Sequence, residues 1–328
     1  MQLHETIKSD LFKSALEQVP TRNGYGEGLK EAGERDAQVV ALAADLTEST
    51  RTHHFAEAFP ERFVQVGIAE QNMASVGSGM AVMGKIPFIA SYAVFSPGRN
   101  WEQIRTTIAY NNANVKIIGA HARISVGPDG ATHHAIEDIA TMRVMANMTV
   151  IAPADIHEAK QVTLWAAEHE GPVYIRVARE KTPIVFTPEY DFDFPKALVL
   201  ATRDTSHQRT VGIISTGTLA YNALAAAKQL NDEGIGASVL HVPVIKPLDT
   251  EGILDFVSQH AAVVTVEEHQ RLGGLGGAVA ELTAAEAPTR VMRLGIDDTF
   301  GQSGTPDELM AHYGIDTPSI VQAATTVA

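Results

Sequence analysis

Glu70 is the first side chain whose type and position could support chemistry. It follows an apolar run at residues 63–66 and falls in the first turn of a predicted helix that continues to about Met83. An ionised carboxylate there meets the positive end of the helix dipole and can also accept a proton. Acids in a first turn commonly serve only the dipole. Glu70 alone is therefore compatible with a structural or a catalytic role.

A glycine-containing loop at residues 121–133 carries the other candidates for proton transfer. It contains Asp129 and His133, and His134 follows directly. Imidazole groups can move protons near neutral pH, whereas Asp-Gly is also ordinary turn chemistry, so both interpretations stay open. Neither this histidine pair nor the pair at residues 53–54 has the spacing of a metalloprotease site. We therefore predict no catalytic metal held by side chains of this chain.

Composition narrows the classes of protein that fit. The chain has 328 residues, 45% of them hydrophobic, which favours two domains with substantial cores. A formal net charge of -14 disfavours nucleic acid or an anionic membrane surface as the main partner. The absence of cysteine excludes thiol catalysis, disulfides and cysteine-bound metal. Residues 1–19 lack an apolar signal core and no apolar run could span a bilayer, so we expect a soluble cytoplasmic protein.

Strands alternating with helices in the first half indicate an α/β fold with a parallel sheet covered on both faces. Residues 11–34 predict one or two helices, and Asp155 is a predicted N-cap. The predicted strands are residues 38–44, 63–66, 86–90, 115–120, 149–152 and 173–177. Polar segments follow three of them, at residues 45–50, 67–70 and 121–133. Because ligands bind beyond the carboxyl ends of parallel strands, we place the active site there.

A second alternating pattern begins after residues 187–195, which are typical of a linker. Its predicted strands are residues 211–215, 237–241, 262–266 and 290–294. We therefore predict a larger α/β domain at residues 1–190 and a smaller α/β domain at residues 191–328. A glycine run at residues 271–277 lacks the full spacing of a dinucleotide-binding loop, and we interpret it as a turn that permits close packing.

Three motifs in order along the chain resemble the C-terminal half of transketolases. They are Gly67-Ile68-Ala69-Glu70-Gln71-Asn72-Met73, Ser91-Tyr92-Ala93-Val94-Phe95 and Gly127-Pro128-Asp129-Gly130-Ala131-Thr132-His133. The resemblance covers nearly the whole chain and implies a pyrimidine-binding domain followed by a transketolase-type C-terminal domain. The Gly-Asp-Gly motif of the family's diphosphate-binding domain does not occur here. The chain thus looks like the C-terminal subunit of a split transketolase, completed by an N-terminal subunit in a heterotetramer of two plus two.

The resemblance also implies a cofactor and a role for individual residues. The cofactor is thiamine diphosphate, with Mg²⁺ held mainly by the partner subunit and the diphosphate. Glu70 matches the acid that hydrogen-bonds the aminopyrimidine ring nitrogen. The other matches are Phe95 and Tyr92 for pyrimidine stacking and its surroundings, Asp45 for the cofactor's central part, Ser49, Arg22 and Arg179 for the sugar phosphate, and His121, Asp129 and His133 for substrate orientation and proton transfer.

Some positions depart from the family pattern and leave the substrates open. Arg123 replaces a smaller residue, Ala131 and His134 replace Pro and Gln, and residues 96–99 are arranged differently from many relatives. One alternative is the β subunit of a 2-oxo-acid dehydrogenase decarboxylase component, which would decarboxylate a 2-oxo acid. A deoxyxylulose-phosphate-synthase-like activity would use pyruvate. A non-catalytic scaffold subunit would bind no thiamine diphosphate.

Overall fold

The computed structural model describes residues 1–13 and 16–328. The strands are β1 (Gln2–Leu3), β2 (Gln18–Val19), β3 (Val39–Ala43), β4 (Phe63–Gln65), β5 (Ile86–Tyr92), β6 (Lys116–Ala120), β7 (Thr149–Ile151), β8 (Val173–Arg176), β9 (Thr182–Pro183), β10 (Leu198–Thr202), β11 (Thr210–Ser215), β12 (Gly236–His241), β13 (Val244–Lys246), β14 (Ala262–Gln270) and β15 (Arg290–Ile296).

The α-helices are α1 (Thr21–Arg35), α2 (Thr47–Thr50), α3 (His53–Ala58), α4 (Glu70–Val82), α5 (Trp101–Gln103), α6 (Asp138–Arg143), α7 (Ile156–Glu168), α8 (Ala220–Asp232), α9 (Thr250–Ser258), α10 (Leu275–Glu286), α11 (Pro306–His312) and α12 (Thr317–Val327). A π-helical segment, Ile104–Ala109, continues α5. Short 3₁₀ segments lie at Pro60–Arg62, Ile124–Asp129 and Gly217–Leu219.

The first half is built on a seven-stranded sheet with the order β13-β7-β8-β6-β5-β3-β4. All neighbours in it are parallel except β13, which runs antiparallel to β7. Every residue of β3 and β6 is buried, as expected for a parallel sheet covered on both faces. The α/β fold predicted from the alternating pattern is confirmed.

The second half is built on a six-stranded sheet with the order β1-β10-β12-β11-β14-β15. Its central strands are parallel, while β10 and β1 add antiparallel at one edge. The two sheets exchange strands, because β1 comes from the start of the chain and β13 from its second half. The domain boundary at residue 190 stays a prediction.

Close packing between α1 and α7 fixes the start of α1 near the sheet. A Cβ on Gly24 would lie 2.2 Å from the Ile156 carbonyl oxygen, and one on Gly28 would lie 2.9 Å from that of Lys160. At the start of α1, the Thr21 hydroxyl accepts a hydrogen bond from the Ala178 N–H at 2.7 Å. The next residue, Arg22, is thereby held beside the carboxyl end of β8.

Several element boundaries differ from the sequence prediction. The predicted helix over residues 11–34 begins only at Thr21, directly after Pro20, whose fixed φ suits the start of a helix. Residues 14 and 15 of that prediction lie outside the described residues. The polar segment at residues 45–50 contains the short helix α2. Asp155 does cap α7, since its side chain accepts from the Glu158 N–H. Across the described residues, no helix combines the length and apolar character needed to cross a membrane.

Candidate active site

The carboxyl ends of adjacent parallel strands bring the predicted residues together. Tyr92 is the last residue of β5 and pairs in register with Ala120, which ends β6. His121 follows directly, and Arg179 lies three residues beyond the end of β8. The loop at residues 121–133, expected at this edge because it follows a strand, therefore lies beside Tyr92 and Arg179.

Glu70, the first residue of α4, has a buried carboxylate. Its side chain is only 1% exposed, and Oε2 accepts a hydrogen bond from Arg99 Nη1 at 2.7 Å. The Glu70 carbonyl oxygen accepts from Asn100 Nδ2 at 3.0 Å, which ties the start of α4 to the segment after β5. A buried carboxylate needs a partner, and here a guanidinium supplies it.

The same guanidinium lies over the ring of Phe95. The Arg99 Cζ atom is 4.7 Å from the ring centroid, while the Arg99 side chain remains 47% exposed. Phe95, Arg99 and Glu70 thus form one cluster, in which a planar cation contacts an aromatic ring and hydrogen-bonds a buried carboxylate.

An aromatic cluster connects Phe95 to the histidines. The Tyr92 ring stacks on His121 with centroids 3.7 Å apart and lies nearly parallel to Phe95 at 5.9 Å. The His133 ring presents its edge to Phe95 at 5.8 Å and to Tyr92 at 6.4 Å. Phe95, its predicted neighbour Tyr92 and two predicted proton-transfer residues therefore form one contiguous cluster.

A cationic cavity lies beside His121 and Tyr92. Its volume is about 420 Å³, and its lining residues are Arg22, Glu48, Ser49, Arg51, Tyr92, His121, Asp129 and Arg179. Arg22 Nη1 donates to the Ser49 carbonyl oxygen at 2.8 Å, and Arg179 Nη1 donates to Asp129 Oδ1 at 3.2 Å. Several guanidinium groups facing one cavity make it suitable for an anionic group.

The cavity sets the charge state of its own side chains. Burial, followed by the charges of Arg22 and Arg179, lowers the pKa of His121 to about 2. Burial and the neighbouring Arg51 and Arg179 also lower the pKa of Arg22. His121 is therefore a neutral imidazole at physiological pH, despite its place in a polar cavity.

The loop that carries His121 has a strained backbone, which contacts with the rest of the chain hold in place. His121 and Arg123 have φ angles of 53° and 91°, a region that residues other than glycine rarely occupy. The Arg123 N–H donates to the Ala135 carbonyl oxygen at 2.9 Å, and Ala122 and Ala135 form an isolated β-bridge. Tertiary contacts thus fix the orientation of the His121 ring.

The structure also places three further residues that were discussed from the sequence. Asp45 is exposed, and its side chain makes no hydrogen bond within the described residues. Arg123 points away from the cavity and donates to Thr218 Oγ1 at 3.0 Å. His134 is buried beneath the loop, where Nε2 lies 3.1 Å from the Gly127 carbonyl oxygen.

Sequence reasoning missed Arg51 and the contacts of Arg99. Arg51 lines the cavity because its φ of 70° turns the chain after α2, and its Nε donates to Asn23 Oδ1 at 2.9 Å. The only available signal was its place two residues after Ser49. The Glu70–Arg99 pair spans 29 residues, so no local pattern indicates it.

The glycine run does have a close-packing role. A Cβ on Gly274 would lie 2.0 Å from Glu267 Oε2, so a larger residue there would displace the carboxylate. The Glu267 carboxylate accepts from the N–H groups of Leu275 and Gly276 at 2.7 and 2.8 Å. An internal carboxylate therefore satisfies the start of α10, where a phosphate-binding loop would bind its ligand.

Comparison with known proteins agrees with this geometry. The family described as "Transketolase, pyrimidine binding domain" matches residues 17–184, and "Transketolase, C-terminal domain" matches residues 201–320. The chain belongs to the transketolase family. A putative transketolase C-terminal section of Methanocaldococcus jannaschii is 45% identical over 307 residues, which are 92% of this chain and 94% of that protein.

Other members of the transketolase family have a similar extent. The 6-deoxy-6-sulfo-D-fructose transketolase subunit SqwH of Clostridium sp. (strain MSTE9) is 36% identical over 95% of this chain and 96% of its own length. A solved structure described as "Split gene transketolase, inactive beta4 tetramer" is 44% identical with a TM-score of 0.87 and covers 94% of this chain and 98% of its own. These three proteins of similar extent are thus named as a transketolase section, a transketolase subunit and a split-gene transketolase.

Proposed function

We propose that this chain is the C-terminal subunit of a thiamine-diphosphate-dependent split transketolase that transfers a two-carbon ketol unit between sugar phosphates. The observation that carries the proposal is the buried Glu70 carboxylate beside Phe95, 1% exposed and hydrogen-bonded to a flat cation. We assign Glu70, Phe95, Tyr92 and Asp45 to the cofactor, and Arg22, Ser49 and Arg179 to the substrate. His121, Asp129 and His133 would orient the substrate and transfer protons.

The residues around Glu70 fit an aminopyrimidine. Such a ring is flat and presents a ring nitrogen that can share a proton with a carboxylate. Here the carboxylate already binds a planar donor, the Arg99 guanidinium, which at the same time contacts the Phe95 ring. Thiamine diphosphate, when bound, supplies a nucleophilic carbon that can carry a ketol fragment. The role of Glu70 is to hold a proton at the ring nitrogen.

The cationic cavity supports a substrate sugar that carries a phosphate or a sulfonate group. Arg22, Arg51 and Arg179 line it, and a guanidinium can bind a phosphate through paired, charge-assisted hydrogen bonds. The sulfonate of a sulfosugar would make similar contacts, and one relative is named for a sulfofructose. Neutral His121 has one ring N–H that can donate toward a substrate hydroxyl or carbonyl, while Asp129 can accept one hydrogen bond.

The proposed assembly contains two copies of this chain and two of an N-terminal subunit. Relatives of nearly the same length are named as a C-terminal section and as a subunit. The structural neighbour described as a tetramer of β chains is also described as inactive, in keeping with a need for a second type of subunit. We assign the diphosphate and Mg²⁺ mainly to that N-terminal subunit.

The test is reconstitution with the N-terminal subunit, followed by a ketol-transfer assay over phosphorylated and sulfonated sugars. We expect transfer with the pair, none with this chain alone, and a fall of about 10²–10⁴-fold in Glu70→Gln. Glu61→Gln, an exposed acid in the segment before β4, is the matched control and should keep full activity. Normal turnover in Glu70→Gln, or decarboxylation of a 2-oxo acid without ketol transfer, would refute the assignment.

A further inference from the structure

The Arg99 guanidinium makes the contacts that the proposed function requires of the aminopyrimidine. It donates to Glu70 Oε2 at 2.7 Å and lies 4.7 Å above the Phe95 ring. A carboxylate that is 1% exposed has room for few partners. One flat cation therefore fills the place in which the proposed ring would be both hydrogen-bonded and stacked.

We infer that Arg99 is an internal competitor of the cofactor. Its guanidinium must leave Glu70 and the face of the Phe95 ring before the aminopyrimidine can bind there. This inference rests on the proposed function of the same site. In the cofactor-free chain the Glu70–Arg99 pair closes the pyrimidine position. On binding, the aminopyrimidine would replace Arg99 both as the hydrogen-bond partner of Glu70 and as the group stacked on Phe95.

The Arg99 side chain has access to solvent, into which it can move. Its side chain is 47% exposed, and Arg99 follows Gly98, which is also exposed, so the guanidinium can swing into solvent by side-chain rotation. The neighbouring Asn100 stays buried and holds the Glu70 carbonyl oxygen through Nδ2. The backbone of the site can thus remain in place while the cation leaves.

The ion pair with Arg99 also offsets the free-energy cost of burying the Glu70 carboxylate. A buried carboxylate without a partner is strongly unfavourable, and Arg99 satisfies it until a ligand does. The cost appears at binding, because the apparent affinity is reduced by the fraction of molecules in which the site is open. Arg99 therefore stabilises the cofactor-free chain and weakens cofactor binding, and these two effects have opposite signs.

The test compares wild type, Arg99→Gln and Arg99→Met in the assembled pair. Thiamine diphosphate with Mg²⁺ is titrated calorimetrically, and the thermal stability of each isolated chain is measured alongside. We expect both variants to bind the cofactor about three- to tenfold more tightly than wild type. We expect both to unfold at a lower temperature without cofactor. Arg290→Gln, an exposed arginine on β15, is the control and should change neither quantity.

The possible outcomes separate this inference from the proposed function. Equal or weaker binding by both Arg99 variants, in a pair whose wild type binds the cofactor, would overturn the competitor role alone. Failure of all four proteins to bind thiamine diphosphate would overturn both proposals. Tighter binding together with lower stability supports the inference, because a purely structural arginine would lose affinity and stability together.

Discussion

Arg22 Nη1 lies 3.3 Å from His121 Nε2, in hydrogen-bonding contact. A guanidinium only donates, so Nε2 must carry the lone pair and the ring proton must reside on Nδ1. That Nδ1 is buried and finds no partner within the described residues. The pair thus fixes one tautomer, in which the ring proton on Nδ1 has no partner among the described residues.

Neutral His121 leads to a prediction about pH. Its pKa lies near 2 in the folded chain, against an ordinary 6.5, so the unfolded chain binds a proton between those values that the folded chain does not. Stability should therefore fall as the pH drops below about 6.5. The His121 ring signal in NMR should not titrate between about pH 4 and 8, and Arg22→Gln should shift its pKa upward. A His121 signal that titrates near 6.5 in wild type would contradict this assignment.

The buried contact between Arg123 and Thr218 predicts that replacing Thr218 by valine costs more stability than replacing Thr216. Thr218 Oγ1 accepts from Arg123 at 3.0 Å and donates to Glu268 Oε1 at 2.9 Å, so Thr218→Val leaves two buried polar groups without this partner. We expect a loss of about 1–3 kcal/mol in the free energy of unfolding. Thr216→Val is the control, because Thr216 Oγ1 is buried without a partner among the described residues. Equal losses in the free energy of unfolding for the two variants, measured by urea denaturation, would show that the Arg123–Thr218–Glu268 hydrogen bonds contribute nothing to stability.

Substitution by alanine should have opposite effects on stability at Gly24 in α1 and at Gly79 in α4. In Gly24→Ala, the new Cβ meets the Ile156 carbonyl oxygen at 2.2 Å, and α1 must shift away from α7. We expect a destabilisation of about 1–3 kcal/mol, since backbone cannot move as cheaply as a flexible side chain. Gly79→Ala meets nothing within 4 Å and should stabilise the chain by about 0.5–1 kcal/mol. Chemical denaturation of the isolated chain measures both.

The cationic cavity predicts a defect specific to the substrate's anionic group. In the reconstituted pair, Arg179→Gln and Arg51→Gln should each raise KM for a phosphorylated acceptor about 10–100-fold, with a small change in kcat. KM for the corresponding unphosphorylated aldose should change little. Equal effects on both acceptors would mean that these arginines shape the cavity rather than bind the phosphate.

Much of this arrangement could be predicted from local sequence. The continuous apolar runs gave the central parallel strands, and the position of Glu70 after β4 gave the start of α4. Strand ends then indicated that the loop carrying His121 would lie at the same edge of the sheet as the start of α4. These features depend on hydrophobic pattern and parallel topology, which act over short stretches.

Long-range pairing is what the sequence could not provide. Whether Arg123 faces the cavity depends on its φ of 91° and on Thr218, 95 residues further along. The contact of Arg99 with Glu70 likewise depends on how the segment after β5 crosses the start of α4. Short edge strands such as β1 and β13 carry too few residues for a pattern, and only their partners define them.

The exchange of strands between the two sheets limits how the chain can be divided. A cut at residue 190 would leave the first piece without β13, exposing the edge of β7, and the second without β1, exposing the edge of β10. Open edges recruit other strands, so either piece produced alone should self-associate. Produced together, the two pieces carry each other's missing strand and should reassemble by fragment complementation.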